Sequence, residues 1–356
     1  MKRQHFYSYA TLVVLLLLTG CGTTKRSSQG SIGKQYNSYA VAFYNVENLF
    51  DCDDDPTNRG DDEFLPTGPY NWTQPKYERK LDNIALVLSK LGREHTPMGP
   101  AIIGVAEVEN RRVLEDLVSR PTVANMGLQV VHEDSPDRRG IDVGLLYNPK
   151  LFTVTNHRCH RYPTLEDNPG FRTRDQLLVS GKMAGEEVHV IVCHWPSRYG
   201  GAKSSYLRET AAGLTRHIAD SLYNLNPRAK IIVMGDMNDD PNDASMAKVL
   251  DAKQFKHEVP TQGFYNTTWA PFAQGIGTLV YQNKWNLFDQ IAVSEPLISD
   301  ENKSLTFWKV DIFNRPFLHT KEGKRKGYPH RTFDGNTFID GYSDHFPVVI
   351  YLLKER

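Results

Sequence analysis

The stretch Ile231-Ile232-Val233-Met234-Gly235-Asp236-Met237-Asn238, followed by Asp239, Asp240 and Pro241, decides how the rest of the chain is read. Four consecutive apolar residues are the pattern of a strand buried on both faces, at the centre of a sheet that is covered on both sides. The run stops in Gly-Asp-x-Asn and then in Asp-Asp-Pro, which is turn chemistry. Asp236 and Asn238 are two positions apart, so a strand that persists that far sends both side chains to one face. A carboxylate beside a carboxamide at the mouth of a buried strand can orient a water, or help hold a phosphate or a hard cation. An ordinary polar turn accounts for this segment equally well by itself. Its weight comes from other strands that end in the same way.

Working outward, residues 204–222 place Leu207, Ala211, Leu214, Ile218 and Leu222 at helical spacing, and 188–194 form a strand that runs through His194 into Trp195-Pro196-Ser197-Arg198. Segments 151–155 and 174–179 read as antiparallel hairpin material, with Arg174 at the head of the second. Residues 140–147 are a strand with Asp142 near its start, and 101–107 a second buried strand that ends in Glu107. A short helix is expected over 110–119. A longer one over 76–91 carries Leu81, Ile84, Ala85, Leu88 and Leu91 on one side. The first strand, 40–47, puts Asn45 and Glu47 on one face. After it, Asp51 to Glu63 is acidic. A calcium-loop template laid on it puts Pro56 where the turn needs glycine, so a solvated acidic insertion is the better reading.

Downstream the pattern loosens. Residues 263–277 are loop-rich, and Tyr265, Trp269 and Phe272 there could face a substrate, although packing is the simpler role. A strand over 285–293 carries Asp289, and a basic stretch, 321–331, precedes Tyr342-Ser343-Asp344-His345-Phe346-Pro347 and the last apolar strand.

The 356 residues are 40% hydrophobic, with no repeat and no second composition regime after residue 38, which predicts one domain over 39–356. Lys+Arg and Asp+Glu balance at 42 each, which argues against non-specific binding of long polyanions. Residues 1–20 read as a signal peptide: Lys2 and Arg3 precede a short apolar run, 11–18, too short to span a bilayer. It closes in Leu18-Thr19-Gly20-Cys21, which resembles a bacterial lipobox. That resemblance implies lipidation of Cys21, a flexible tether over 21–38, and anchorage at the outer membrane on its periplasmic or cell-surface face. The remaining cysteines, Cys52, Cys159 and Cys193, are too few and too scattered for a disulfide framework or a zinc site.

Collected, the polar strand ends are Asn45 and Glu47, Glu107, His194, Asp236 and Asn238, Asp289, and Asp344 with His345. Each alone is a cap or a satisfied core residue. Together, oxygen donors without thiolates point to Mg²⁺, with Mn²⁺ or Ca²⁺ as alternatives, and two imidazoles suit a charged phosphoryl group. Tyr44-Asn45-Val46-Glu47-Asn48, Ala106-Glu107-Val108-Glu109, Gly235-Asp236-Met237-Asn238 and Ser343-Asp344-His345-Phe346-Pro347 occur in the order that resembles the endonuclease/exonuclease/phosphatase superfamily.

The resemblance implies an α/β (α+β) fold: a four-layer αββα sandwich of two facing mixed sheets flanked by helices. It also implies roles. Glu107 would be the principal metal ligand, with Asn45, Glu47 and Asp344 in the same shell. Asp236 would position or deprotonate the attacking water, and Asn238 would hydrogen-bond the phosphate. His345, oriented by Asp289, would offset charge in the transition state. His194, oriented by Asp142, would act as general acid or phosphate ligand, and a histidine there argues against the abasic-site endonuclease branch. Arg174 and Arg198 are the candidate phosphate contacts.

The expected activity is a metal-dependent phosphodiesterase, a nuclease acting on extracellular DNA or RNA. The alternatives are a phosphomonoesterase, a sphingomyelinase-like phospholipid phosphodiesterase, or a non-catalytic surface binding lipoprotein. Nothing in the sequence points to a protein partner.

Overall fold

The computed structural model describes residues 35–56, 59–299 and 303–356. The expected leader, Cys21 and the tether up to residue 34 lie outside the described residues. In chain order the first elements are β1 (Tyr36–Leu49), α1 (Gln74–Lys90), β2 (Ile102–Val108), α2 (Arg111–Ser119), α3 (Pro121–Ala124), β3 (Gln129–His132) and β4 (Asp142–Tyr147). Next come β5 (Phe152–His160), β6 (Gln176–Met183), β7 (Glu186–His194), α4 (Ser205–Leu225), β8 (Ile231–Asp236), β9 (Ala252–Lys253), β10 (Phe264–Asn266) and α5 (Trp269–Ala273). The chain closes with β11 (Leu279–Tyr281), β12 (Lys284–Asn286), β13 (Asp289–Ser294), β14 (Thr306–Ile312), β15 (Phe333–Asp334), β16 (Thr337–Phe338) and β17 (Val348–Glu355).

Two large sheets form, in the orders β14-β17-β1-β2-β4-β3 and β5-β6-β7-β8-β13-β10-β9. Both are mixed. The β1–β2 and β7–β8 pairs are parallel, and β1–β17 and β8–β13 are antiparallel. The strand β8 shows why the sandwich has four layers. Ile232 and Met234 point into the core between the sheets, whereas Ile231 and Val233 pack under Ala211, Ala212, Ile218 and Ala219 of α4. All four are fully buried, each contributing about 1.5–3 kcal/mol by leaving water. The sheets approach closely at Gly104, where a Cβ would come 2.5 Å from the Met234 Sδ. α1 and α2 cover the outer side of the first sheet. The expected αββα sandwich is the observed one.

Some boundaries differ. β1 begins at Tyr36, inside the stretch expected as tether, because Tyr36, Asn37 and Ser38 pair with Glu355, Lys354 and Leu353. The strand expected over 285–293 is two strands, since Leu287 and Phe288 break it and Asp289 opens β13. The acidic insertion is not simply solvated: Asp51 and Asp61 are buried and accept the amides of Asp53 and Asp55. Tyr265 packs against Phe307, which settles it as a packing residue. Among the described residues no helix is long and apolar enough to cross a membrane.

Candidate active site

Register builds one wall of the site. β8 lies between β7 and β13, and its last residue, Asp236, is paired in register with both His194 and Asp289. Three chemistry-bearing side chains thus stand in a row at one end of the second sheet. Gly235 permits this, because a Cβ there would lie 2.2 Å from the Cys193 carbonyl oxygen. The chain then turns at Asn238, which has a positive φ of 50°; its amide donates to Asp236 Oδ1 at 2.9 Å and its Nδ2 to the Trp195 carbonyl at 2.9 Å.

The facing sheet supplies the other wall. The β1–β2 and β2–β4 ladders both slip beyond Asn45 and Ala106, and Glu47, Asn48 and Glu107 take positive φ values of 52°, 50° and 63°. Non-glycine residues held left-handed cost of order 1–3 kcal/mol each. Four of them at the ends of β1, β2 and β8 mark the place where the fold stores strain to aim side chains.

The two walls meet in a continuous chain of polar contacts. Asn45 Nδ2 donates to Asp236 Oδ2 at 3.0 Å, and its Oδ1 accepts the Glu47 amide. His194 Nε2 lies 3.6 Å from Asp236 Oδ2 and 3.9 Å from Glu107 Oε1. His345 Nδ1 is 2.7 Å from Asp289 Oδ2, which leaves Nε2 facing Asp344 at 3.8 Å and Asp236 at 3.9 Å. Ser343 fixes that turn, donating to the Asn45 carbonyl at 2.7 Å and accepting the His345 amide at 3.1 Å. Asp289 Oδ1 and His194 Nδ1 are buried without a hydrogen-bond partner among the described residues.

Electrostatics follow from this crowding. Burial, with Asp289 beside it, pushes the Asp236 carboxyl up despite the favourable His345. Burial alone would lower His345, but Asp289, Asp236 and Asp344 outweigh it and hold the imidazole cationic well above its ordinary range. Burial works against Glu107 as well, yet Arg139 and the cationic His345 keep it ionised. His194 is lowered by burial and by Arg174, so it stays neutral.

Asn45, Glu47, Glu107, His194, Asp236, Asn238, Asp289, Asp344 and His345 are therefore brought together. Asp142 is not: its Oδ1 accepts the Ser135 amide at 2.9 Å and its Oδ2 lies 3.2 Å from His132 Nε2, so the expected His194–Asp142 pair is not formed. Nor are two arginines free for phosphate. Arg174 is buried and spends its guanidinium on the His194 carbonyl (3.2 Å), the Trp195 carbonyl (2.7 Å) and Asp137 (3.0 Å). Arg198 donates to the Asn238 carbonyl at 2.8 Å and to Asp243, with Phe288 beneath it.

Three cations that sequence reasoning did not single out stand in their place. Arg139 is half-exposed, 3.3 Å from Glu107 Oε2, and also donates to Asn48 Oδ1. Arg331, the last residue of the basic stretch, links Glu47 (3.2 Å) to Asp344 (3.0 Å). Lys80 is fully buried beneath Glu47, donating to Thr332 and to the Tyr342 carbonyl. A lysine at an apolar-face position of α1, between Tyr77 and Ile84, was the signal available for it.

The donor set fits a hard divalent cation. Glu107, Glu47 and Asp344 offer carboxylates and Asn45 a carboxamide, beside the close-set Asp236, Asp289 and His345, whose imidazole, held cationic, is no ligand; no thiolate is among them. A family model described as the Endonuclease/Exonuclease/phosphatase family matches residues 40–354. Among solved structures, ANGEL2, a 2′,3′-cyclic phosphatase, in complex with adenosine-2′,3′-vanadate is similar at a TM-score of 0.59 and 12% identity, over 92% of this chain and 100% of that one. TDP2 of D. rerio complexed with single-strand DNA product is similar at 0.52 and 13%, over 88% and 98%. A family protein from Bacteroides thetaiotaomicron is similar at 0.53 and 16%, over 90% and 100%. A search of curated proteins returns no match.

Proposed function

This chain belongs to the endonuclease/exonuclease/phosphatase family, whose members are phosphoric ester hydrolases, and on that premise we propose that it is a phosphodiesterase cleaving DNA or RNA outside the cytosol. The observation that carries the reading is the convergence just described: Asn45 and His345, three hundred positions apart in sequence, belong to one buried set of contacts through Asp236.

Asp236 is the residue for the attacking water, because it is the carboxylate that both Asn45 and the Asn238 amide orient. His345, clamped by Asp289, presents a cationic Nε2 to a phosphoryl oxygen, which offsets negative charge as it grows. His194 is neutral, so one ring nitrogen can donate to a phosphoryl oxygen and the other can accept a proton in transit. Glu107, with Asn45, Asp344 and Glu47, would hold Mg²⁺, or Mn²⁺ or Ca²⁺. Such a cation supplies Lewis-acid polarisation of the phosphoryl oxygens.

The substrate reading draws support from the single-strand DNA product and the adenosine-2′,3′-vanadate bound by the TDP2 and ANGEL2 neighbours. The location draws on Leu18-Thr19-Gly20-Cys21, by which we propose a lipid anchor at the outer membrane.

The test is a panel of plasmid DNA, RNA, bis-p-nitrophenyl phosphate, sphingomyelin and p-nitrophenyl phosphate, each with Mg²⁺, Mn²⁺, Ca²⁺ or EDTA. Diesters should be cut with metal and spared in EDTA. Cleavage of monoesters only would overturn the diesterase assignment, and cleavage of nothing would leave a binding protein. Palmitate labelling of cells, lost in Cys21→Ser, checks the anchor.

A further inference from the structure

We propose that the recess walled by Phe64, Tyr70, Phe333 and Arg331, beside Glu47 and Asn48, is a nucleobase subsite that receives one base flanking the scissile phosphate. It rests on the phosphodiesterase reading and narrows its substrate class to nucleotides.

The recess opens against the site itself, since Glu47 and Asn48 line both. Its volume is about 220 Å³, below the roughly 300–1,000 Å³ of pockets that hold a whole drug-sized ligand. It suits one flat ring system. The walls come from two segments that belong to neither large sheet: the turn after β1 and the stretch around β15. They are locked together by rings: Phe64 stacks on Phe50 (4.3 Å, 2° between planes) and on Tyr70 (4.9 Å), and Tyr70 meets Phe333 at 4.7 Å. The mouth is open at Gly335, where a Cβ would meet nothing within 4 Å.

The rim is fixed from beneath. Arg331 Nε donates to Glu47 Oε1 and Nη2 to Asp344 Oδ2, while the Thr332 amide donates to Glu47 Oε2 at 2.6 Å. Arg331 Nη1 makes no hydrogen bond among the described residues, which leaves a donor for the acceptor edge of a base. Phe64 and Phe333 are buried, so the half-buried Tyr70 is the ring that, with Arg331, can meet a base, and bases are bound elsewhere by such a pairing of an aromatic ring with a guanidinium. The alternatives fit worse. An acyl chain would meet a guanidinium and a carboxylate. A polyphosphorylated polyol would need several uncompensated cations, whereas Arg331 already faces two carboxylates.

The test uses the full chain with Mg²⁺ and isothermal titration of adenosine 5′-monophosphate against inorganic phosphate. Wild type should bind the nucleotide at least about fivefold more tightly, the lower end of what one base–aromatic contact is worth. Tyr70→Leu should bring the two to within about twofold, and Tyr70→Phe should keep the preference. Equal affinities in wild type, or a full preference in Tyr70→Leu, would overturn the subsite. If Tyr70→Leu does not fold, photolabelling of wild type with 8-azidoadenosine 5′-monophosphate decides: the label should fall on Phe64–Tyr70 or Arg331–Phe333, and a label elsewhere refutes the proposal. Hydrolysis of bis-p-nitrophenyl phosphate is scored on the same preparations. Hydrolysis without nucleotide preference sinks the subsite alone, and preference without hydrolysis sinks the hydrolase reading alone.

Discussion

Strand β7 begins at Glu186 and ends at His194, and the two ends put polar residues to opposite uses. At its start, Glu186 accepts from Ser304 Oγ (2.8 Å), the Leu305 amide (3.1 Å), Lys230 Nζ (2.9 Å) and Lys354 Nζ (2.7 Å). Burial works against this carboxylate, yet those partners outweigh it and bring it down to about 2. At the other end, among the described residues, His194 keeps an unpartnered buried nitrogen and Asp289 an unpartnered oxygen, and burial pushes both Asp236 and Glu47 up. A polar group whose partners are complete adds stability, and one left open costs it. The open end is where reactivity can reside.

The largest expected effect tests the open end. Asp236→Asn and His345→Ala should each lower kcat at least about a hundredfold, the scale of losing a general base or an electrostatic stabiliser. Asp236→Asn turns one of the two acceptors used by Asn45 and the Asn238 amide into a donor, so its melting temperature should fall by no more than a few degrees while kcat falls far more. Near-normal kcat with a lowered melting temperature would mean that this end, like the other, is structural.

Arg174 sharpens the contrast, since it is a completed group inside the open end. Lysine cannot fork to two carbonyls and a carboxylate at once. Arg174→Lys should therefore loosen the backbone that carries His194 and lower kcat about tenfold, while KM changes by less than about twofold. A raised KM with kcat intact would restore the expectation that Arg174 touches phosphate.

How legible each end was follows from the same distinction. Alternation and buried runs gave the sheets, and Asp-x-Asn, Asp-His and Glu at strand ends gave the site, because strand period and turn chemistry are local properties. The partner of a long side chain is not local. Arg174, Arg198, Arg139 and Arg331 look alike in sequence, and only the fold decides that the first two are spent on backbone carbonyls and on Asp137 or Asp243, while Arg139 and Arg331 end on Glu107 and Glu47. The insertions after β1 and before β17 were legible only as acidic and basic, since their aromatic contacts join residues as distant as Tyr70 and Phe333.

Glu186→Gln probes the completed end. Its pKa falls from 4.5 to about 2 on folding, so its stabilisation is present above about pH 4.5 and is lost as pH falls toward 2. The variant should be about 2 kcal/mol less stable than wild type at pH 6, with kcat unchanged, a figure set below the full shift because the carboxylate is partly solvated. The gap between the two proteins in urea midpoint should narrow steadily below pH 4.5. A constant gap down to pH 2.5 would show that the ion pairs do not carry it.

The smallest effect is expected where sequence and structure disagree. Asp142 was the intended partner of His194, but it caps the Ser135 amide and faces His132. Asp142→Asn keeps an acceptor for that amide, so kcat should stay within about threefold and the melting temperature should fall by no more than a few degrees. Should Asp142→Asn instead lose activity as Asp236→Asn does, with a shifted pH profile, the His194–Asp142 pair would form during turnover. His194 would then be a completed group like Glu186, and the unpartnered nitrogen that now sets the two ends of β7 apart would cease to distinguish them.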